Sequence, residues 1–196
     1  MKTRLLVWTV RAMITVILIG GVAWVGLHEV RPAGPVYAQA MPMNVQVVSL
    51  DWKWLFIYPE QGVATVNELV IPAGGRVHLE LTSSGAMNSF FVPRLGTQID
   101  TMAGMITQLD LQADHPGTYR GLSARYGGKG LPDMRFTVYA VSAGEFAQWV
   151  ERAKNAGPVL DAAAYADLTT PSAAVPAFRF RAVGPGLFSA IVMAGQ

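Results

Sequence analysis

Between residues 43 and 141 apolar side chains recur at every second position. Val77, Leu79 and Leu81 alternate with His78, Glu80 and Thr82, the period of a half-buried strand. Leu109 and Leu111 alternate with Gln108, Asp110 and Gln112. Met134, Phe136, Val138 and Ala140 alternate with Arg135, Thr137 and Tyr139. Asn44–Leu50, Trp54–Tyr58 and Asn67–Ile71 are shorter apolar runs rich in aromatic or β-branched residues. Turn residues separate these runs: Pro59, Pro72-Ala73-Gly74-Gly75, Gly85, Pro116-Gly117 and Gly127-Gly128-Lys129-Gly130. Strands at this spacing predict an antiparallel sandwich or barrel.

The period changes after residue 141. Ser142-Ala143-Gly144-Glu145 has the form of a capping box, with Ser as N-cap and Glu three residues on. Phe146, Trp149, Val150 and Ala153 follow at helical spacing, so a helix is predicted to about Lys154, stopping at Gly157-Pro158. A shorter helix is predicted over Val159–Asp167. Thr169–Gln196 has proline, glycine and no strong period, with Phe178, Phe180 and Phe188 as isolated anchors. It is expected to pack along a partner or to stay partly mobile.

The N-terminus follows another rule. Lys2, Arg4 and Arg11 precede Ala12–Leu27, a run of apolar residues, threonine and glycine without charge. Roughly 20 residues span a bilayer, and Leu5–Val10 extends the run if Arg11 snorkels to the head groups. Trp8 and Trp24 stand near its ends, where aromatic rings anchor at the interface. Residues 1–30 are therefore predicted to be a retained membrane anchor with its basic end cytoplasmic. Residues 31–42, with Pro32, Gly34, Pro35 and Pro42, are predicted to be a linker, and the rest to lie outside. Ala38-Gln39-Ala40 offers the competing reading of a cleaved signal peptide, but it lies far beyond Leu27.

Composition agrees with that division. Of 196 residues 52% are hydrophobic and 14% charged, apolar for a soluble domain. The net positive charge belongs to the leader. Residues 41–196 carry 11 basic and 12 acidic residues, so no basic face for nucleic acid follows from the net charge. With no cysteine, disulfides, thiol nucleophiles and cysteine-ligated metals are excluded together.

Candidate chemistry is sparse. His28, His78 and His115 are too scattered to form a ligand pair at short spacing and read as solvated histidines. Glu60, Asp100 and Asp110 have no partner carboxylate identifiable from spacing, so no acid–base pair is predicted. Ser123 has no nearby histidine and no nucleophile elbow. Gly127–Gly130 lacks the Gly-Lys-Ser/Thr ending of a phosphate loop.

One segment carries more. Residues 119–134, Tyr-Arg-Gly-Leu-Ser-Ala-Arg-Tyr-Gly-Gly-Lys-Gly-Leu-Pro-Asp-Met, resemble the copper loop of a respiratory oxidase subunit II, whose pattern is Cys-x-Glu-x-Cys-x-x-x-His-x-x-Met. Ser123, Arg125, Gly127 and Leu131 stand at the lost ligand positions, and Met134 is retained. The upstream histidine of the family falls at Asn88 in Asn88-Ser89-Phe90-Phe91-Val92-Pro93. Asp51-Trp52-Lys53-Trp54-Leu55-Phe56-Ile57-Tyr58-Pro59-Glu60-Gln61-Gly62 and Met87–Gly96 closely resemble subunit II of cytochrome bo-type ubiquinol oxidases. Met102-Ala103-Gly104-Met105, Pro116-Gly117-Thr118-Tyr119, the Phe146–Lys154 helix and the aromatic motif Gly184-Pro185-Gly186-Leu187-Phe188 continue the likeness.

The resemblance implies a mainly β fold: a cupredoxin-like Greek-key sandwich over residues 43–141, with an N-terminal transmembrane helix and a short C-terminal helical extension over residues 142–196. It implies a single-pass subunit of a bacterial inner membrane, with its β-domain on the periplasmic face. Its partners would be subunit I, carrying haem, copper and ubiquinol, and the other oxidase subunits. This chain would hold no cofactor. It would have no catalytic residue of its own, in a complex that oxidises quinol, reduces oxygen and pumps protons. Trp52, Trp54, Phe56 and Tyr58 match the aromatic segment through which electrons enter copper-bearing relatives. Without copper they are expected to be packing and subunit-interface residues. The family has two transmembrane helices and a lipoprotein-type leader; one apolar segment and no cysteine are seen in this sequence. The rival expectation is a stand-alone membrane-anchored cupredoxin-like binding or assembly module.

Overall fold

The computed structural model describes residues 42–124, 134–172 and 174–196 and, nearer the start, residues 8, 11, 13–18 and 20. Residues 1–40 and 41–196 form two compact units. In the first, the described residues are helical, and Trp8, Met13, Ile14, Val16, Ile17 and Leu18 are exposed. Among the described residues no helix is long and apolar enough to cross a membrane. Most of the expected anchor and nearly all of the linker lie outside the described residues.

The second unit is a sandwich of two sheets. Strands β1 (Met43–Leu50), β2 (Lys53–Tyr58), β3 (Val63–Val66), β4 (Glu68–Pro72) and β5 (Arg76–Ser83) come first. Then follow β6 (Asn88–Val92), β7 (Thr97–Thr101), β8 (Thr107–Gln112), β9 (Gly117–Ser123) and β10 (Arg135–Val141). One sheet has six strands in the order β12-β3-β2-β1-β5-β8, with β12 (Phe178–Phe180) supplied by the C-terminal region. The other has five in the order β4-β10-β9-β6-β7. The antiparallel expectation is corrected in two places, because β1 runs parallel to β5 and β4 parallel to β10.

Strand parity decides what each sheet buries. Trp54, Phe56 and Tyr58 point inward from β2, facing Phe90 of β6 and Phe136 and Val138 of β10. Trp54 meets Phe90 and Phe136 edge-on, with ring centroids 5.5 Å away in both cases, and the two phenylalanines stack at 4.9 Å. Phe136 lies over its cross-strand partner Gly121, where a Cβ would come within 2.1 Å of the ring. No other residue fits that position without moving a core aromatic.

The opposite face of the six-stranded sheet is apolar at Val48, Leu50, Leu55, Ile57, Ala64 and Val66. The C-terminal region covers it. The capping box forms as the sequence predicts: Ser142 Oγ accepts from the Glu145 amide, and the Glu145 side chain accepts from the Ser142 amide. Helix α1 (Ala143–Lys154) buries Trp149, Val150 and Ala153 against the sandwich. The chain then makes β11 (Val159–Leu160), helix α2 (Ala162–Thr169), β12, β13 (Ala182–Val183) and helix α3 (Leu187–Ala194). Asp161 caps α2 by accepting from the Ala164 amide at 2.9 Å. Phe180, Leu187, Phe188 and Ile191 fill the second core. The expectation for Thr169–Gln196 is thereby corrected: the partner along which it packs is the chain's own sheet.

Candidate functional site

The described ligand positions of the resembled copper site, Asn88, Ser123 and Met134, converge at one end of the sandwich. Asn88 begins β6, Ser123 ends β9 and Met134 directly precedes β10. The β6–β9 pairing sets Phe90 opposite Ser123, and the Ser123 amide donates to the Met134 carbonyl at 2.9 Å. Arg125, Gly127 and Leu131 lie outside the described residues.

What gathers at this end is a chain of neutral hydrogen bonds. Ser123 Oγ donates to Asn88 Oδ1 at 3.5 Å, and Asn88 Nδ2 donates to Ser49 Oγ at 3.4 Å and to the Ala86 carbonyl at 3.3 Å. Ser49 and Thr101 hydroxyls meet at 2.9 Å, with both side chains buried, and Thr101 Oγ1 donates to the Asn88 carbonyl at 3.2 Å. Met134 is buried beside them, part of the main core. An amide, hydroxyls and one thioether supply no anionic sulfur and no imidazole. A binuclear copper centre needs those softer and stronger donors. These residues therefore do not fit the metal. Among the described residues no group of three or more His, Asp or Glu could hold a metal ion.

The other candidates are dispersed. His78 of β5 pairs with Asp110 of β8 across the sheet, Nδ1 to Oδ1 at 2.9 Å, on the outer surface. The His115 backbone accepts from Tyr119 Oη at 2.8 Å, while its ring lies in an exposed turn. Glu60 accepts from Asn44 at 3.3 Å, and Asp100 is exposed on β7. His28 lies outside the described residues. Among the described residues, His78 and Asp110 are the candidates that meet, and the others stand apart.

The aromatic segment needs a correction. Trp54, Phe56 and Tyr58 have no exposed surface, because their face of β2 looks into the sandwich. They cannot act as anchors on an outer surface. Trp52 does not share that face. It sits in the turn before β2 at φ 65°, half-buried, and parity does not extend to it.

Sequence reasoning missed a set of polar pins beneath the extension. Lys53, 2% exposed, donates to the Thr170 carbonyl at 2.8 Å and to Ser172 Oγ at 2.5 Å. Burial lowers its pKa, and Asp51 opposes the shift. Asn67, in the left-handed region at φ 56°, accepts from the Trp54 amide and donates to the Val175 carbonyl. Arg179 donates twice to Glu68 Oε1, at 2.7 and 3.1 Å, with its guanidinium 5.8 Å from the Trp149 ring. A lysine inside an aromatic strand run was the one sequence sign that something polar crosses the outer face.

A mainly β two-sheet sandwich with loops converging at one end defines the cupredoxin-like class. Its fold matches the crystal structure of the periplasmic domain of subunit II of cytochrome oxidase from Bradyrhizobium japonicum. That match has a TM-score of 0.54 and 24% identity, over 58% of this chain and 94% of that one. Residues 61–141 match the family described as Cytochrome C oxidase subunit II, periplasmic domain, and residues 154–194 the COX Aromatic Rich Motif. The chain is 46% identical over 97% of its length to Ubiquinol oxidase subunit 2 of Acetobacter aceti, covering 62% of that protein. It is also 46% identical, over 97% of its length, to Cytochrome bo(3) ubiquinol oxidase subunit 2 of Pseudomonas aeruginosa, covering 57% of it. The chain belongs to the subunit II family of haem-copper respiratory oxidases, and these relatives are quinol oxidase subunits. It spans about three fifths of the length of these curated relatives.

Proposed function

We propose that this chain is a copper-free subunit II of a bacterial terminal quinol oxidase, serving as a structural cap and assembly partner of the haem-bearing subunit I. The observation that carries the reading is the neutral cluster of Asn88, Ser123 and Met134, where the family's copper-bearing members need thiolates and imidazoles. A membrane-soluble quinol delivers its electrons within the bilayer, so a periplasmic copper relay serves no step. The chain then contributes no reacting group, and the complex oxidises quinol and reduces oxygen in its partner. Its β-domain lies on the periplasmic face.

Two measurements test this. Purified protein exposed to copper and desalted should hold no stoichiometric copper and show no thiolate-to-copper absorption band. Protein isolated from native membranes should carry a haem-containing partner with it. Stoichiometric copper would overturn the first half of the reading. Isolation without any haem protein would favour the stand-alone anchored module.

A further inference from the structure

Asn88, the upstream ligand position of the resembled copper loop, lies at the end of the sandwich where the β5–β6 and β7–β8 loops meet. The chain's own C-terminal region reaches that end at two points. Tyr165 of α2, half-buried, brings its hydroxyl close to the Ser84 side chain in the β5–β6 loop. The Ser84 amide and hydroxyl donate in turn to the Ser49 carbonyl at 3.0 and 3.3 Å. Ser49 Oγ is the acceptor for Asn88, so Ser49 links the β5–β6 loop to the former ligand position.

The second contact is backbone on backbone. Gly195, just past α3, lies against Ala103 and Gly104 in the β7–β8 loop. A Cβ on Gly195 would come within 2.4 Å of the Gly104 nitrogen, and one on Gly104 within 2.7 Å of the Gly195 carbonyl oxygen. Neither neighbour is a side chain that could swing aside. The same loop is bound to the end of β5, where the Ser83 amide donates to the Met102 carbonyl at 3.3 Å and Ser83 bridges Ala103. The two contacted loops flank Asn88 and Thr101.

We propose that the C-terminal extension is a brace for this end of the sandwich, holding in place the β5–β6 and β7–β8 loops that flank the former ligand position Asn88 and its neighbour Thr101. The brace rests on the reading that no copper is held there. It gives the extension a second role besides covering the outer sheet: α3 is seated by Leu187, Phe188 and Ile191, and its end props the loop. Loop order at this end then depends on residues about ninety positions away in sequence.

Hydrogen exchange on the full chain in detergent or nanodiscs tests the brace, read on peptides covering residues 83–88 and 101–107. Gly195→Ala is the main variant, since Gly195 has an ordinary right-handed backbone and alanine there introduces only the clash. Gly85→Ala is the control, because open space surrounds that position in the loop itself. Gly195→Ala should speed exchange of the 101–107 peptide by about tenfold or more, as local opening becomes easier, and Gly85→Ala should not. Tyr165→Phe, which removes only the hydroxyl, should speed the 83–88 peptide instead. The brace is overturned if Gly195→Ala leaves the 101–107 peptide unchanged, whether or not α3 itself loosens. Adding copper or a chelator to the unaltered chain separates the two readings. Neither should alter exchange, and slowing by copper would sink the copper-free reading while leaving the Gly195 result to decide the brace.

Discussion

Tyr58 joins the two sheets through a single hydroxyl. It projects from β2 in the six-stranded sheet and reaches Val70 of β4 in the five-stranded one. There it donates to the carbonyl at 3.1 Å and accepts from the amide at 2.8 Å. Complete burial raises its pKa, so it stays neutral over the whole working range. Tyr58→Phe keeps the ring but strands a buried amide and carbonyl, and each orphaned group costs about 1–3 kcal/mol. A loss of about 3 kcal/mol is expected in urea unfolding. A change near zero would mean that water replaces the hydroxyl. Asn67 makes a different case, since its left-handed backbone and its two side-chain bonds can be separated. Asn67→Gly should lose only the bonds, and Asn67→Ala should lose about 1–2 kcal/mol more through the backbone. Comparing the two unfolding midpoints measures that difference. These residues show where sequence reading stops. The run Trp54–Tyr58 predicts a strand rich in aromatic residues, and it does not say what those rings meet. Both faces of β2 are buried, so aromatic content alone could not distinguish a core from a subunit contact.

At the scale of elements, the strands with clean alternation and the capped helix were legible because each is specified locally. The Ser142–Glu145 box fixes a helix start by its own hydrogen bonds, whatever the rest of the chain does. The extension was not legible for the opposite reason. Phe180, Leu187, Phe188 and Ile191 are placed by an apolar patch that β1, β2 and β3 create from residues more than a hundred positions earlier. Helix α3 is apolar on most sides and begins after Gly186 without a side-chain cap, so it carries neither period nor start signal. Its burial is substantial. Phe188→Ala should destabilise the domain by about 3–5 kcal/mol, as large-to-small changes in a core do, read by thermal or urea unfolding. Lys53 adds a pH dependence to the same attachment. Its pKa lies below its ordinary value of 10.5 because burial penalises the ammonium, with Asp51 opposing. Between the folded and unfolded pKa values the unfolded chain binds more protons, so stability rises with pH across that window. Stability relative to Lys53→Met should therefore climb as pH approaches 10.5. A flat difference in urea midpoint would show that Lys53 is not desolvated.

Residues 41–196 are built as two cores sharing one sheet, and this decides how the proposed packing role can be tested. Trp54 belongs to the inner core with no exposed surface. Replacing it by alanine should cost about 3–5 kcal/mol of folding stability, and any loss of a complex would then report on the fold. Trp52 is the residue of that segment with exposed surface, held in a turn outside the strand. Trp52→Ala is therefore the informative change. If the chain serves by packing, this variant lowers the amount of complex recovered from membranes while quinol turnover per haem stays near that of the unaltered enzyme. Aromatic hot spots contribute about 2 kcal/mol or more at interfaces, so about a thirtyfold fall in recovery at limiting expression is the scale expected if Trp52 is such an anchor. Unfolding of the isolated chain should move little, which separates this result from that for Trp54. Full assembly with most turnover per haem lost would place Trp52 in the electron path, and the packing reading would be wrong.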